Sequence, residues 1–317
     1  MNRKAILFEP WAMGDALIAA SALALRPDEL VLVCQSRWHQ IVLDAIPDLE
    51  AASLIGIETS YEAKSGKSGV TCSIDPRFKE LNGAPVYSIR GDVRDYYLAR
   101  KIFDRSRVRM TGWIPFVARK IPFFDLPFRH GICQAKNRYR MWMDLLGLEW
   151  AELESYYRCA AKDRASAGAV AIHVGAQWKS KQFPRVGELA ALLRQAGKRV
   201  EILAGEGDPL PEGVSPSQVQ VAMGRDLVER LKGCEFAVTN DSGPMHLAAL
   251  LGAPTVAVGC SSNLACWAPP GVITVCAEKM PKGYAPSPGY WSEEDAKGWP
   301  APEEIMQALR NGKLLQP

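Results

Sequence analysis

Short apolar runs alternate with helix-forming segments along much of the chain. In the C-terminal half, apolar runs predict strands at 170–174, 200–204, 219–222, 236–239, 255–258 and 273–276. Helix-forming segments lie between these runs, at 186–195, 225–231 and 245–251. Buried strands that alternate with helices are typical of a parallel sheet covered on both faces. The fold class predicted from this pattern is α/β.

The N-terminal half begins with the same pattern. Residues 5–8 and 30–34 are predicted as buried strands, and residues 16–25 and 38–45 as helices. Polar residues at 59–69 indicate a loop.

A chain of 317 residues is longer than one usual domain, and its apolar share of 48% supplies material for two cores. A composition change at 160–168 suggests a linker, so we expect an N-terminal unit over 1–160 and a C-terminal unit over 161–317. A last predicted helix at 302–310 would fit against either unit.

The N-terminus resembles a secretory signal only superficially. Arg3 and Lys4 precede apolar residues, but Glu9 and Asp15 interrupt the apolar core that such a signal needs. No uncharged run approaches the ~20 apolar residues that a membrane-spanning helix requires. These features favour a cytoplasmic protein.

The eight cysteines are scattered and include no Cys-x-x-Cys pair. Several lie in apolar, strand-like contexts. We expect reduced, buried thiols rather than a metal cluster or a disulfide framework.

The segment 234–259, CEFAVTNDSGPMHLAALLGAPTVAVG, combines a strand, a polar turn and a helix. The first N–H groups of a helix have no partner inside it and carry partial positive charge, so a phosphate fits there. Asp241 or Ser242 suits a helix cap, Gly243 allows a ligand to approach the backbone, and His246 follows closely. An ordinary capped turn explains this stretch equally well when it is considered alone.

Two other segments place polar residues after predicted strands. Gly14-Asp15 opens a helix after the first strand, where Asp15 could equally be a plain N-cap. Lys179 and Lys181 follow the strand at 170–174, where a lysine either faces a phosphate or is solvated.

Together these segments resemble the heptosyltransferase-like family of glycosyltransferases, the ninth sequence family of that class. The resemblance rests on Gly14-Asp15, on Gly175 followed by Lys181-x-aromatic-Pro, and on the Asp-Ser-Gly-x-x-His-x-x-Ala box that begins at Asp241. Order and spacing match as well. The resemblance extends over residues 5–50 and 168–265 and is weak between about 55 and 160.

The resemblance implies a GT-B architecture, in which two Rossmann-like parallel-sheet domains face each other across a cleft. It implies inverting transfer of a sugar, with heptose first, from a nucleotide donor to a glycan or glycolipid such as the lipopolysaccharide core. ADP is the favoured nucleotide, and no cofactor is expected. The chain has no Asp-x-Asp pair, so we expect no metal at the diphosphate.

Each candidate residue has an expected role. Asp15 would be the catalytic base, with Gly14 and Glu9 beside it on the acceptor side. The donor diphosphate would contact five residues: Lys181, Asp241, Ser242, Gly243 and His246. Glu206 and Met223 would contact the nucleoside, where a solvated turn and core packing are the respective alternatives.

The chain departs from the family pattern near the expected base. Glu9-Pro10-Trp11 stands where members commonly carry a basic residue, and Phe183 replaces the usual tryptophan. Glu9 would raise the pKa of Asp15 by like-charge repulsion or change acceptor binding.

Basic residues are concentrated between Arg90 and Arg140, where thirteen Lys or Arg face four Asp in a chain of net charge +3. Interleaved aromatic residues give this stretch an amphipathic character. Such a stretch can bind nucleic acid, anionic lipid head groups or an anionic glycolipid. No nucleic-acid motif is present, and the family resemblance favours an anionic glycolipid acceptor or peripheral contact with an anionic membrane at its inner face. A solvated surface with internally paired arginines is the alternative.

Three other functional classes remain open. A non-catalytic, transferase-like binding protein would keep the fold without the reaction. A nucleotide-sugar epimerase would share the diphosphate-binding helix. A nicotinamide oxidoreductase is disfavoured because no Gly-x-Gly-x-x-Gly follows the first strand.

Overall fold

Two parallel β-sheets organise the chain. The computed structural model describes residues 4–58, 60–61, 68–69, 75–89, 93–103, 108–110, 137–162, 168–176, 181–260, 264–276 and 298–315. The chain divides into two units, Met1–Leu153 and Glu154–Pro317, each with one of the sheets.

The strands are β1 Ala5–Glu9, β2 Leu30–Gln35, β3 Leu54–Ile57, β4 Ser60–Tyr61, β5 Ser68–Gly69, β6 Val86–Ser88, β7 Val108–Met110, β8 Val170–His173, β9 Val200–Ala204, β10 Val219–Val221, β11 Ala237–Asn240, β12 Thr255–Gly259 and β13 Ile273–Cys276. The described α-helices are α1 Met13–Leu25, α2 His39–Ala45, α3 Arg77–Glu80, α4 Val93–Ile102, α5 Arg138–Leu146, α6 Trp150–Lys162, α7 Val186–Gln195, α8 Gly224–Gly233, α9 Gly243–Leu250, α10 Leu264–Trp267 and α11 Pro302–Asn311.

The first sheet has the order β3-β2-β1-β6-β7 and the second the order β10-β9-β8-β11-β12-β13, with parallel pairing throughout both. A separate antiparallel pair joins β4 and β5 within the predicted polar loop. The predicted α/β class with two parallel sheets is therefore confirmed.

The strands are apolar on both sides because helices cover both faces. Every residue of β2, β8 and β12 is buried. On one face of the second sheet, Leu189 of α7 and Ile305 of α11 pack on Val238 and Val256. Each fully buried aliphatic side chain of this kind contributes about 1.5–3 kcal/mol. The last helix thus packs on the C-terminal unit, which resolves the two options that the sequence allowed.

Most predicted elements of the C-terminal unit match the observed ones to within two residues. One part of the predicted linker at 160–168 is wrong, since α6 continues to Lys162. The helix is amphipathic, and its end packs beside the turn after α9, where a Cβ on Gly252 would lie 2.2 Å from the Ala160 carbonyl oxygen. Polar, alanine-rich composition resembled a linker because one face of the helix meets solvent.

The six cysteines within the described residues are free thiols. Cys34, Cys234, Cys260 and Cys266 are buried, whereas Cys159 and Cys276 are exposed. Burial raises the pKa of the Cys34 thiol to about 12, which keeps it protonated and unreactive. Among the described helices, none is both long enough and apolar enough to cross a bilayer.

Candidate functional site

The donor-side candidates lie at the point in the second sheet where the order of successive strands reverses. From β8 the chain adds β9 and β10 on one side, and then returns to place β11 on the other side of β8. Open α/β sheets bind ligands at the carboxyl ends of strands at such a switch point. His173 ends β8 and Asn240 ends β11, so their following loops border the same crevice.

The turn after β11 leads directly into α9. Ser242 is the N-cap residue, and Gly243 and Pro244 begin the helix. The Ser242 side chain makes no capping hydrogen bond; its hydroxyl donates instead to the Asn240 carbonyl oxygen at 3.4 Å. Pro244 has no N–H, and the Met245 amide donates to the Ser242 carbonyl oxygen at 3.0 Å, so the Ser242 and Gly243 amides are the ones that an anion could use.

Lys181 and Asp241 form an ion pair beside this helix start. Lys181 Nζ donates to Asp241 Oδ2 at 2.6 Å, and the two side chains are 19% and 5% exposed. The ammonium group also lies 5.8 Å from the centre of the Trp267 ring. A charged lysine is therefore held at the helix N-terminus, rather than solvated on a loop.

Asn240 fixes the chain that carries Lys181. Its Oδ1 accepts from the Phe183 amide at 2.9 Å, and its Nδ2 donates to the Val174 carbonyl at 2.8 Å. The Phe183 ring packs against Trp299 at 5.7 Å between centroids. The Lys-x-Phe-Pro segment is thereby joined to both strands of the switch point.

His173 is buried at the end of β8. Its Nδ1 accepts from the Gly175 amide at 3.2 Å. Burial lowers the pKa of His173 to about 4, against an opposing effect of the Asp208 charge. The neutral imidazole therefore helps to shape the loop that follows β8.

Asp208 is an acidic residue of this region that the sequence did not single out. Its Oδ2 accepts from the Gly205 amide at 2.7 Å, and a Cβ on Gly175 would lie 1.8 Å from the same oxygen. The carboxylate therefore lies between the loops that follow β8 and β9. Gly175 and Gly205 both face this carboxylate. A glycine after each strand is the sequence signal that could have indicated the close approach of Asp208.

The two nucleoside candidates lie next to each other. Glu206 follows β9 and Met223 follows the neighbouring strand β10, and the Glu206 amide donates to Met223 Sδ at 3.4 Å. The Glu206 side chain is exposed, and Met223 is 55% exposed, as is Val221 nearby at 63%. The carboxyl ends of these strands thus present a carboxylate beside an open apolar surface.

His246 is as deeply buried as Asp241. It lies in the first turns of α9 and is only 3% exposed. The contact with the diphosphate that the sequence suggested for His246 stays a prediction.

The acceptor-side candidates lie at the corresponding switch point of the first sheet, where β1 is flanked by β2 and β6. Glu9 is the last residue of β1 and is 1% exposed. Gly14 and Asp15 lie in the first turn of α1 and are partly exposed. The alternative in which Asp15 is the N-cap is wrong, because the helix begins at Met13 and Ala12 is the N-cap.

Trp11 anchors the loop that leads into α1. Its indole N–H donates to Asp95, a fully buried residue of α4 that also accepts from Ser88. The Trp11 carbonyl accepts from Gln35 Nε2 at 2.6 Å and from Trp38 Nε1 at 3.4 Å. The departure Glu9-Pro10-Trp11 thus has a structural role, and this anchor holds the approach to Asp15.

Most of the basic stretch at 90–140 lies outside the described residues. The described part comprises 93–103, 108–110 and 137–140. The Arg109 guanidinium lies 5.9 Å from the Tyr87 ring, and Arg140 lies 4.0 Å from the Trp150 ring.

Comparison with known families assigns the chain. A family model described as glycosyltransferase family 9 (heptosyltransferase) matches residues 83–282, which is more than half of the sequence. The chain belongs to glycosyltransferase family 9. The resemblance inferred from the sequence is confirmed, and the family 9 assignment supports a glycosyltransferase.

Solved structures share the fold of this family 9 glycosyltransferase. The glycosyl transferase family 9 protein from Veillonella parvula is 18% identical with a TM-score of 0.63, covering 99% of both chains. The E. coli heptosyltransferase WaaC with ADP is 17% identical with a TM-score of 0.57, covering 97% of this chain and 99% of that one.

The iron-containing dodecameric glycosyltransferase TibC from enterotoxigenic E. coli H10407 is 13% identical with a TM-score of 0.53, covering 99% of this chain and 77% of that one. No curated protein matches the chain. Within the described residues, no group of three or more His, Cys, Asp or Glu is arranged to hold a metal ion.

Proposed function

We propose that this family 9 glycosyltransferase transfers a sugar from a nucleoside diphosphate donor to a hydroxyl of a glycan or glycolipid, with inversion and without a metal. The observation that carries the proposal is the partly buried Lys181 ammonium beside the start of α9, at the switch point of the second sheet. An ammonium close to the Ser242 and Gly243 amides matches a diphosphate in charge and geometry.

The diphosphate would accept hydrogen bonds from amides near Ser242 and Gly243 and from Lys181. Charge-assisted hydrogen bonds of this type contribute about 1.5–3 kcal/mol each. Asp241 is an acceptor and would repel a phosphate, so it serves the diphosphate through Lys181, whose ammonium it holds. The buried His246 would support the helix start from beneath.

The nucleoside would extend toward the ends of β9 and β10. Glu206 can accept hydrogen bonds from a ribose diol, and the exposed Met223 and Val221 offer apolar contact to a base. Strand β9 is the neighbour of β8, and β10 is the neighbour of β9. One nucleoside diphosphate can therefore reach from Lys181 at the switch point to Glu206 and Met223.

Asp15 would act as the general base on the acceptor. As the acceptor oxygen forms its bond to the anomeric carbon, its proton passes to the Asp15 carboxylate and the bond from carbon to the diphosphate oxygen breaks. The nucleoside diphosphate leaves with that electron pair. Lys181 and the helix amides stabilise the charge that develops on it, and displacement by a single nucleophile inverts the anomeric centre.

ADP-heptose is the donor and lipopolysaccharide core the acceptor that we favour. The support is the family description, which names heptosyltransferases, together with the similar E. coli enzyme solved with ADP. Contact of residues 90–140 with an anionic acceptor or a membrane surface, with the protein in the cytoplasm, belongs to the same proposal.

A thermal-shift screen against ADP-, GDP-, UDP- and dTDP-linked sugars tests the donor class. A ligand that binds only the folded state raises the melting temperature, by an amount that grows with its concentration relative to Kd. We expect the ADP-linked sugar to give the largest increase. An equal response to all four donors, or none, would contradict an ADP-specific site.

The Asp15→Asn variant tests the reaction. We expect transfer to fall by at least about a hundredfold, since general base catalysis supplies about 10²–10⁴ in rate, while nucleotide affinity stays unchanged. The matched control is Asp28→Asn, which changes an exposed aspartate of the same unit. Unchanged turnover in Asp15→Asn would remove this residue from the mechanism.

A further inference from the structure

Lys181 is held by two side chains of different chemistry. Asp241 Oδ2 lies 2.6 Å from its ammonium nitrogen, and the centre of the Trp267 ring lies 5.8 Å from it. Both distances are within the range of a favourable interaction with a cation. The lysine side chain is only 19% exposed. Its position is therefore set by these neighbours more than by solvent.

Trp267 is the last residue of α10 and packs against α9, the helix that begins at the candidate diphosphate site. It packs against the buried cluster of Met245 on α9, Ala257 on β12 and Leu264 on α10. The indole is thus fixed relative to the start of α9. A cation that rests on it is fixed relative to the same amides.

The backbone that carries Lys181 is fixed from the other direction. Two residues further on, the Phe183 amide donates to Asn240, the neighbour of Asp241 in the sequence. The consecutive pair Asn240-Asp241 therefore holds both the main chain and the ammonium end of this segment. Trp267 supplies a contact to the ammonium that does not come from this pair.

An aromatic ring suits this place better than a second carboxylate. The Lys181–Asp241 pair has no net charge, and a second carboxylate would make the site negative and repel a diphosphate. An indole attracts the ammonium through its ring quadrupole and adds no charge. The indole can also keep the ammonium in place while one N–H group of the ammonium changes its acceptor from Asp241 to a phosphate oxygen.

We propose that Trp267 is a positioning residue of the donor site, which orients the Lys181 ammonium toward the diphosphate. This inference rests on the proposed diphosphate role of Lys181. Trp267 was not a candidate in the sequence, because its partner in the fold lies far from it along the chain. The ring acts through Lys181 and has no separate contact with the ligand.

Calorimetric titration with ADP tests the proposal in the full chain. We expect Trp267→Leu to weaken ADP binding about three- to thirtyfold, the range of a partly buried cation–π contact. Trp267→Phe keeps a ring face and should stay within about threefold of the wild type. Melting curves check that each variant is folded.

A double-mutant cycle distinguishes positioning from direct contact. Lys181→Met keeps the aliphatic stem and removes the ammonium, so adding Trp267→Leu to it should cause no further loss. Additive losses would show that the indole contacts ADP itself and would overturn the inference. Should Trp267→Leu fail to fold, Trp267→Met, which also lacks a ring but keeps a longer apolar side chain, takes its place in the cycle, and zero coupling there overturns the inference as well.

The chain offers a matched control for Trp267→Leu and another for Lys181→Met. Trp150→Leu removes another indole that lies under a cation, Arg140, in the other unit. Lys198→Met removes another paired lysine of the C-terminal unit, 2.6 Å from Glu235. Neither variant should change the affinity for ADP by more than about twofold, which is the scatter expected for distant sites.

The outcomes separate the two proposals. If Lys181→Met binds ADP as tightly as the wild type, the proposed role of Lys181 fails and the role of Trp267 fails with it. If Lys181→Met weakens binding and Trp267→Leu does not, only the role of Trp267 is overturned. If the wild type binds none of ADP, GDP, UDP and dTDP, both are overturned.

Discussion

Single residues at the candidate site are held by partners that the sequence does not place beside them. Asp241 is 5% exposed and is compensated by Lys181, sixty positions earlier. A buried charge of this kind is costly unless it is paired, so the ion pair itself constrains the fold. His173 meets the cost of burial in another way: burial disfavours its charged state, so the imidazole is neutral.

His173 makes stability depend on pH. Its pKa is about 4 in the folded protein, below the usual 6.5, so the unfolded chain binds the proton first as pH falls. Its contribution is complete above about pH 6.5 and is lost toward pH 4, by up to about 3 kcal/mol in the free energy of unfolding. Urea denaturation between pH 7.5 and 4.5 measures this loss.

The comparison protein for this pH experiment is His173→Asn, whose amide oxygen can accept from Gly175 and does not titrate. We expect the stability of the variant to fall less than that of the wild type over the same range. Parallel pH dependences of the two proteins would contradict the assignment of a buried neutral imidazole.

At the scale of elements, the loops that follow the strands are held by contacts between neighbouring elements. The loop into α1 depends on Asp95 of α4 and Gln35 of β2, and the turn after α9 depends on the end of α6. Two pairs of matched variants test these contacts.

Trp11→Phe removes the indole N–H and keeps an aromatic ring of similar shape. Asp95, which is fully buried, then loses one of its donors, so we expect a loss of about 1–3 kcal/mol in the free energy of unfolding. Trp38→Phe removes a longer hydrogen bond, 3.4 Å to the Trp11 carbonyl, and should cost less than about 1 kcal/mol. Chemical denaturation measures both, and equal losses would argue against the Asp95 anchor.

Gly252 and Gly197 follow α9 and α7 with nearly the same backbone angle, φ of 75° and 78°. A Cβ on Gly252 would lie 2.2 Å from the Ala160 carbonyl oxygen, whereas one on Gly197 would meet nothing within 4 Å. Gly197→Ala should therefore cost about 1–2 kcal/mol for the left-handed conformation alone. Gly252→Ala should cost about 1–3 kcal/mol more, since the backbone of α6 must move.

Denaturant midpoints of the two glycine variants provide the comparison. A Gly252→Ala protein as stable as Gly197→Ala would mean that α6 does not pack on this turn.

At the scale of the whole molecule, each unit brings candidate residues to the switch point of its own sheet. Asp15 lies after β1 in the first unit, and Lys181 and Asp241 lie near β8 and β11 in the second. The same topological rule therefore accounts for both groups of residues.

Chelation tests the proposal that Lys181 and helix amides replace a metal. We expect transfer in excess EDTA to stay within about twofold of the untreated enzyme, because electrostatic stabilisation comes from fixed groups of the chain. The test matters because the similar TibC is described as iron-containing. Activity lost in EDTA and restored by Mg²⁺ or Fe²⁺ would contradict metal-independent transfer.

The sequence by itself determined the fold class, the first elements of the N-terminal unit and most elements of the C-terminal unit. Continuous apolar runs such as β8 and β12, separated by amphipathic segments, require a sheet that is buried on both faces, and local turn chemistry marks where α9 begins. The motif around Asp241 also indicated the family, since its residues are adjacent in the chain.

Only the tertiary structure decided which side chains meet. The pairing of Lys181 with Asp241 and Trp267, the anchoring of Trp11 by Asp95, and the approach of Asp208 to Gly175 all depend on strand order. Strand order follows from crossover connections over many residues, and the periodicity of a single segment carries no record of its neighbour in the sheet. Local patterns therefore specify elements, whereas long-range packing specifies the site.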